Sequence, residues 1–253
     1  MKITLAQIDI RLNRSNIERH IDIIKQHAST SDVIVFPELS LNGYMLQDKV
    51  YEDAYTLDEL TELFALSKQV DIALGVVLRS ENKILNSALY ISGGELLHRH
   101  DKIHLPNYGM FEEARFFSKG EVLQSFQTAH GNSCMVVCED LWRADMITRI
   151  ANEEPKVLYV LSNSPARDFS DEGLKIASQW EAILKTTAML AYTHVIFVNR
   201  VGFEDGLGFW GGSMVITPQG AKDSSFKLFD EQIETVTLNH SLHAIERLII
   251  KHD

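Results

Sequence analysis

Two cysteines, five prolines and no apolar run approaching the roughly 18 residues of a membrane span set the first limits on this 253-residue chain. Cys134 and Cys138 lie in one strand-like segment, and a spacing of four residues along a strand separates them by about 13 Å. That is well past the roughly 7 Å between Cα atoms that a disulfide tolerates, so two thiols are expected and not a bridge. Basic residues are scarce as well. Against 35 Asp and Glu stand 24 Lys and Arg, for a formal charge of −11, which argues against a nucleic-acid partner held by its phosphate backbone. The opening Ile3-Thr4-Leu5-Ala6-Gln7-Ile8 alternates and is too short and too polar to be the apolar region of a signal peptide. The expected location is cytoplasmic, with no membrane partner. The chain also lacks a Gly-x-Ser-x-Gly nucleophile elbow, internal repeats, low-complexity tracts and an obvious linker. With 45% hydrophobic residues it is long enough for one domain covering 1–253.

What is present alternates between strand and helix patterns. Lys2 to Ile8 reads as a strand, Ile17 to His27 as a helix with Ile17, Ile21 and Ile24 on one face, and Val33 to Phe36 as a buried strand. A second amphipathic helix over Leu57 to Lys68 precedes a strand at Ile72 to Leu78. Strands are expected at Ile84 to Ile91, Glu95 to His100 and Val122 to Phe126, the first two joined by a Gly93-Gly94 hairpin turn. A long loop, Asp101 to Gly120, separates the last two, and a loop of that length inside a compact domain is usually functional. Then follow an apolar run ending in Met135-Val136-Val137, a helix from Ala144 to Asn152, a strand from Val157 to Leu161 and the longest helix, Gly173 to Ala191. The strand Val195 to Val198, a glycine-rich loop from Asn199 to Gly212, and strands at Ser213 to Ile216 and Ile233 to Leu238 complete a mixed α/β pattern. Ile245, Leu248, Ile249 and Ile250 make the tail apolar enough to pack on this subunit or on a neighbour.

Three polar residues stand at the ends of apolar strands: Glu38, Lys102 and Cys138. A thiol is a weak nucleophile until a base takes its proton, a carboxylate in an apolar site suits that base, and a fixed ammonium stabilises an oxyanion. Spacing alone leaves a second reading open and favours it, with Cys138 as a small core residue and Glu38 and Lys102 as a structural ion pair.

The segments around these residues, "VIVFPELSLNGY", "HDKIHLPNYGMFEEARFF" and "VVCEDLW", resemble the three signature segments of the nitrilase, or carbon-nitrogen hydrolase, superfamily. Order and spacing match over nearly the whole chain, which is most similar to the glutaminase domain of glutamine-dependent NAD synthetases and to related single-domain amidases. The resemblance implies an α-β-β-α sandwich, a Glu-Lys-Cys triad, and neither metal nor cofactor. It implies Cys138 as nucleophile, Glu38 as general base, and Lys102 with the backbone N–H of Glu139 as oxyanion holders. It implies Glu113, two residues before Arg115, as the second glutamate that orients substrate. Asp140 then reads as structural and Trp142 as pocket lining. Ser164 and Arg167, in "NSPARDF", are candidates to meet a substrate carboxylate. Tyr108 matches an aromatic motif position, and Phe203, Glu204 or Trp210 is expected near the pocket mouth. The implied substrate is a small amide or N-carbamoyl compound cleaved through an acyl-thioester, and the implied assembly is a homodimer or larger homo-oligomer.

The resemblance is incomplete in one respect. The 253 residues contain neither the ATP-using synthetase domain nor the basic segment that glutaminase domains carry after the serine-proline loop. A free-standing amidase is therefore expected, with a glutaminase-like subunit that feeds ammonia to a separate synthetase as the alternative. Two decoys are set aside. Gly206 to Gly211 fits a G-x-G-x-x-G string, but a strand and not a helix follows it. His98, His100 and His104 lack further ligands for a metal and read as surface histidines.

Overall fold

The computed structural model describes residues 1–171 and 173–238; the apolar tail at Ile245 to Ile250 lies outside them. The first half of the chain runs β1 (Lys2–Gln7), α1 (Asn16–His27), β2 (Val33–Val35), α2 (Val50–Asp53), α3 (Thr61–Leu66), β3 (Asp71–Ser80), β4 (Lys83–Ser92) and β5 (Glu95–Asp101). The second begins with α4 (Glu113–Phe116), β6 (Phe126–Thr128), β7 (Gly131–Val137), α5 (Ala144–Glu153) and β8 (Val157–Ser162). The two-residue strands β9 (Phe169–Ser170) and β10 (Gly173–Leu174) lead into α6 (Lys175–Ala191). Last come β11 (His194–Asn199), β12 (Val201–Glu204), β13 (Leu207–Trp210), β14 (Met214–Ile216), β15 (Lys222–Ser225) and β16 (Gln232–Thr237).

Two six-stranded sheets result, in the orders β16-β1-β2-β3-β4-β5 and β15-β14-β11-β8-β7-β6. Their central strands are largely apolar and buried because each is covered on both faces. The period of two then sorts side chains into separate cores. Ile3, Leu5, Val33, Val35, Met135 and Val137 meet Tyr159, Leu161, Ile196 and Val198 between the sheets. The alternate residues Ile34, Phe36, Ile72 and Leu74 face outward to the layer of α1 and α3. Cys134, Val136, Leu158, Val160, Val195 and Phe197 face the layer of α5 and α6. Three apolar layers between four structural ones make the expected α-β-β-α sandwich. α6 shows how a helix fits: Ile176, Trp180, Leu184, Ala188 and Ala191 recur at helical spacing and are buried, while Met189 and Leu190 face out.

Several expectations shift. The strand expected at Val122 to Phe126 begins at Phe126, where the short hairpin with β7 starts, and Val122 is 56% exposed. The glycine-rich segment from Asn199 to Gly212 is a β12–β13 hairpin around Asp205-Gly206. The expected helix at Leu57 to Lys68 opens as a 3-10 turn over Leu57–Leu60 before α3. α2, β15 and the single turn of α4 inside the Asp101 to Gly120 loop carry too few periodic residues to be read in advance.

Both sheets end their central strands on one edge, and glycines allow the chain to fold tightly there. Gly75 in β3 lies under the segment leaving β2, and a Cβ at this position would stand 2.3 Å from the Leu39 nitrogen and 2.6 Å from the Pro37 carbonyl oxygen. Leu39 itself is left-handed, at φ 47°. No side chain fits between β3 and the turn that carries Glu38. Gly75→Ala is expected to cost about 2–3 kcal/mol by overpacking, a drop of about 5–10 °C in the thermal midpoint for a chain of this length, measured by circular dichroism.

Candidate active site

Each signature segment reaches the site from a strand end. Glu38 follows β2 in a tight turn, Lys102 is the first residue after β5, and Cys138 opens a 3-10 turn, Cys138–Trp142, that follows β7. Glu113 comes from α4, carried inward by the long loop. That loop is closed at its base where the Gly120 N–H donates to the Lys102 carbonyl. A Cβ on Gly120 would sit 1.9 Å from the Asp101 carbonyl oxygen.

The Lys102 ammonium, 1% exposed, donates to Glu38 Oε1 and to Glu113 Oε1, each at 2.7 Å. Neutral donors also hold both carboxylates. Asn86 Nδ2 donates to Glu38 Oε1 at 2.8 Å, the Asn163 N–H donates to Glu38 Oε2 at 2.8 Å, and the Tyr44 hydroxyl donates to Glu113 Oε1 at 2.6 Å. Glu113 Oε2 is buried and has no hydrogen-bond partner among the described residues. Burial pushes the Glu113 carboxyl up to about 7, against the pull of Lys102. Burial also works against the charge on Lys102, yet Glu113, Glu38 and Cys138 together hold its pKa well above the ordinary lysine value. The neighbouring Glu112 lies on the surface 3.9 Å from Arg115.

Cys138 adopts a left-handed backbone, φ 43°, so the chain turns sharply at the thiol. Such strain in a non-glycine residue persists only where its surroundings fix it, and it clusters at functional positions. The Ser162 hydroxyl lies 3.5 Å from Sγ. Burial and the negative charge of Glu38 push the thiol well above its ordinary value, opposed by Lys102 and the Ser162 hydroxyl. A thiol in this state needs a base at the moment of attack.

Asp140 ties these pieces together. Fully buried, it accepts the Val137 N–H at 3.1 Å just before Cys138, and the Ile103 and His104 N–H groups at 3.0 and 2.8 Å just after Lys102. His100 Nε2 adds a fourth contact at 2.9 Å. Burial alone would raise the Asp140 pKa, but His100 and the His104 N–H hold it below the ordinary carboxylate range. His100 is therefore not the surface residue expected. It is buried against Asp140, while His98 stacks on Phe126 at 4.3 Å. No group of three metal-ligating side chains is found among the described residues.

The candidate substrate residues divide. Tyr108 is half-exposed and donates to Glu139 Oε2 at 2.9 Å, beside Cys138. Arg167 is partly exposed, 5.8 Å from the Phe111 ring, which in turn meets Tyr108 edge-on. Ser164 is buried, its hydroxyl accepting from Trp180 Nε1 at 2.9 Å, so it fastens the loop to α6. Trp142 packs edge-on against Trp180, 5.3 Å between centroids. Trp210 is a correction: it is fully buried and stacks on Phe197 in the core under α6, away from any mouth. Phe203, 81% exposed, lies at the outer hairpin. Asn86, Ser162 and Arg200 escaped the reading of the sequence. A lone Asn inside the apolar "ILNSALYI" and an Arg after "VIFVN" were the available signals.

Comparison with known proteins gives four findings. The carbon-nitrogen hydrolase family profile matches residues 2–243. The glutamine-dependent NAD(+) synthetase of Aquifex aeolicus is 31% identical over 245 residues, covering 94% of this chain but 42% of that protein, so the chain spans less than half the length of this curated relative. The glutamine-dependent NAD+ synthetase structure from Acinetobacter baumannii superposes with a TM-score of 0.85 at 26% identity, covering 96% of this chain and 46% of that one. A carbon-nitrogen hydrolase superfamily protein from Xanthomonas campestris, with an arsenic adduct in its active site, superposes with a TM-score of 0.87 at 22% identity over 99% of this chain and 95% of that one. This last likeness is one of fold.

Replacing Asp140 leaves buried donors unmatched, and Asp140→Asn is expected to cost about 2–4 kcal/mol near neutral pH. Because the folded pKa of Asp140 is depressed, its contribution is fully present above the unfolded value and is lost as pH falls through the folded one. Urea titrations should show the gap between wild type and variant narrowing only on the acid side of the ordinary aspartate range. A gap that stays constant to the lowest pH at which the protein folds would contradict this.

Proposed function

This chain belongs to the carbon-nitrogen hydrolase family, and from that premise we propose that it is a cysteine-dependent amidohydrolase acting on a small amide or N-carbamoyl compound. The observation that carries the reading is the buried Lys102 ammonium, 2.7 Å from both Glu38 and Glu113 and close enough to the Cys138 thiol to oppose its raised pKa. Glu38 takes the thiol proton as Cys138 Sγ bonds to the substrate carbonyl carbon. Lys102, whose third N–H remains after its two carboxylate contacts, and the Glu139 N–H receive the developing oxyanion. The carbon-nitrogen bond breaks, the proton held by Glu38 leaves with ammonia or amine, and a thioester remains. Glu38 then draws a proton from water, whose oxygen attacks the thioester, releasing the acid and restoring the thiol. Glu113 Oε2, buried and without a partner among the described residues, suits an amide N–H of the substrate.

A second reading has its own support. The Aquifex aeolicus relative is a glutamine-dependent synthetase, so the acyl group left on Cys138 would be that of glutamine and the expelled ammonia would pass to a separate synthetase. A pull-down that recovers such a partner, with hydrolysis seen only in its presence, favours this over a free-standing amidase. A homo-oligomer is part of the proposal in either case, and a monomer by light scattering contradicts it.

The test is ammonia release from a panel of small amides, nitriles and N-carbamoyl amino acids. Cys138→Ala is expected to fall to background and Glu38→Gln to lose about 10²–10⁴-fold, the usual worth of a general base; turnover surviving in Cys138→Ala overturns the nucleophile. The ionised Glu113 carboxylate is the form that accepts from Lys102, Tyr44 and substrate, so kcat/KM should rise as pH rises through about 7. In Glu113→Gln that rising limb should be missing from the profile.

A further inference from the structure

Arg200 follows β11 directly and is fully buried. Its guanidinium donates to Glu204 Oε2 at 2.6 Å, to the Ile10 carbonyl at 2.5 Å and to the Val201 carbonyl at 3.2 Å, and it lies 4.2 Å above the Phe209 ring. One carboxylate oxygen of Glu204 is thus taken by Arg200. The other accepts two consecutive backbone N–H groups, those of Tyr44, at 2.8 Å, and of Met45. Residues 42–46 belong to no strand or helix and have no ladder to hold them. Gly43, left-handed at φ 91°, lets the backbone come this close, since a Cβ there would sit 3.0 Å from Glu204 Oε2 and 2.9 Å from the Arg11 carbonyl oxygen. The ring of Tyr44 then stands between Phe111 and Phe209, edge-on to each at 6.3 and 6.4 Å, and its hydroxyl reaches Glu113.

We propose that Glu204, fixed by Arg200, is a positioning residue: it anchors the Tyr44 backbone so that the tyrosine hydroxyl stays on Glu113 in the candidate active site. The proposal rests on the reading of Glu113 given above. An ion pair that served only the fold would need nothing beyond Arg200 and Glu204. Here the second oxygen is spent entirely on the segment that delivers Tyr44, 160 residues earlier in the chain. Burying an ion pair costs desolvation that a hydrophobic pair avoids, and what this pair supplies in return is a fixed backbone. Glu204 and Arg200 touch neither the thiol nor Lys102, so their effect has to pass through Tyr44.

The test is the titration of Glu113 itself, followed by the carbon-13 signal of its side-chain carboxyl and assigned by its loss in Glu113→Gln. The groups facing that carboxyl are Lys102, Glu38 and the Tyr44 hydroxyl, with Cys138 nearby. Loss of the tyrosine hydrogen bond removes a contact that favours the ionised form. Tyr44→Phe and Glu204→Gln should therefore both move the midpoint upward by about one pH unit, and the double variant should move it no further than either alone. If Glu204→Gln does not fold, Arg200→Lys, which keeps the charge but loses the fork, should give a smaller shift in the same direction. A midpoint unchanged in Glu204→Gln or Arg200→Lys while Tyr44→Phe shifts it, with only thermal stability lowered, overturns the positioning role. The titration needs no substrate, so its outcome is separate from that of the amide screen.

Discussion

The buried Lys102 ammonium sets the terms for the candidate site and the strand ends around it. Removing an ammonium from water is costly unless opposite charge and hydrogen bonds meet it. Lys102 is met by two carboxylates from separate segments, each itself held by neutral donors: Asn86 and the Asn163 N–H on Glu38, and Tyr44 on Glu113. The two sheets must deliver these groups to one edge. The strand ends of the first sheet contribute Glu38 and Lys102, while β7 and β8 of the second contribute Cys138, Ser162 and Asn163. The packing of sheet on sheet is therefore also what brings the site together.

The same arithmetic of charge shapes the thiol. Glu38 and Glu113 place two potential negative charges beside one positive one, so Cys138 is held as a thiol and Glu113 sits near the point of taking up a proton. A resting thiolate would add a third negative charge to this enclosure. In the proposed mechanism this favours a proton moved during the reaction over an ion pair stored beforehand, unlike sites in which a cysteine is kept permanently ionised beside a cation.

The sandwich was legible because its central strands are short apolar runs bounded by turns, and because the three polar residues stand where those runs stop. Glu38, Lys102 and Cys138 were readable as strand-end residues, and Glu113 only through the resemblance of its segment to a family signature. Trp210 and His100 were misread for one reason: a polar-tipped ring looks the same in sequence whether it lines a mouth or fills a core, and only burial decides between them. Asn86 and Arg200 act through contacts with residues 48 and 190 positions away in the chain, which no local pattern encodes. The register of Phe126 was missed because the pairing with β7, not the apolarity of Val122 and Leu123, fixes where that strand starts.

β16 lies against β1 in antiparallel register from Lys2↔Thr237 to Gln7↔Gln232, and the Leu238 N–H closes on the Met1 carbonyl at 2.8 Å. During synthesis, β1 is thus a strand whose partner arrives more than two hundred residues later. Until then one side of β1 presents unpaired N–H and C=O groups, a template for any passing strand. Contacts between such distant segments are slow to form because their loop entropy is lost before the pairing compensates for it. The first sheet is consequently complete only once β16 has been made.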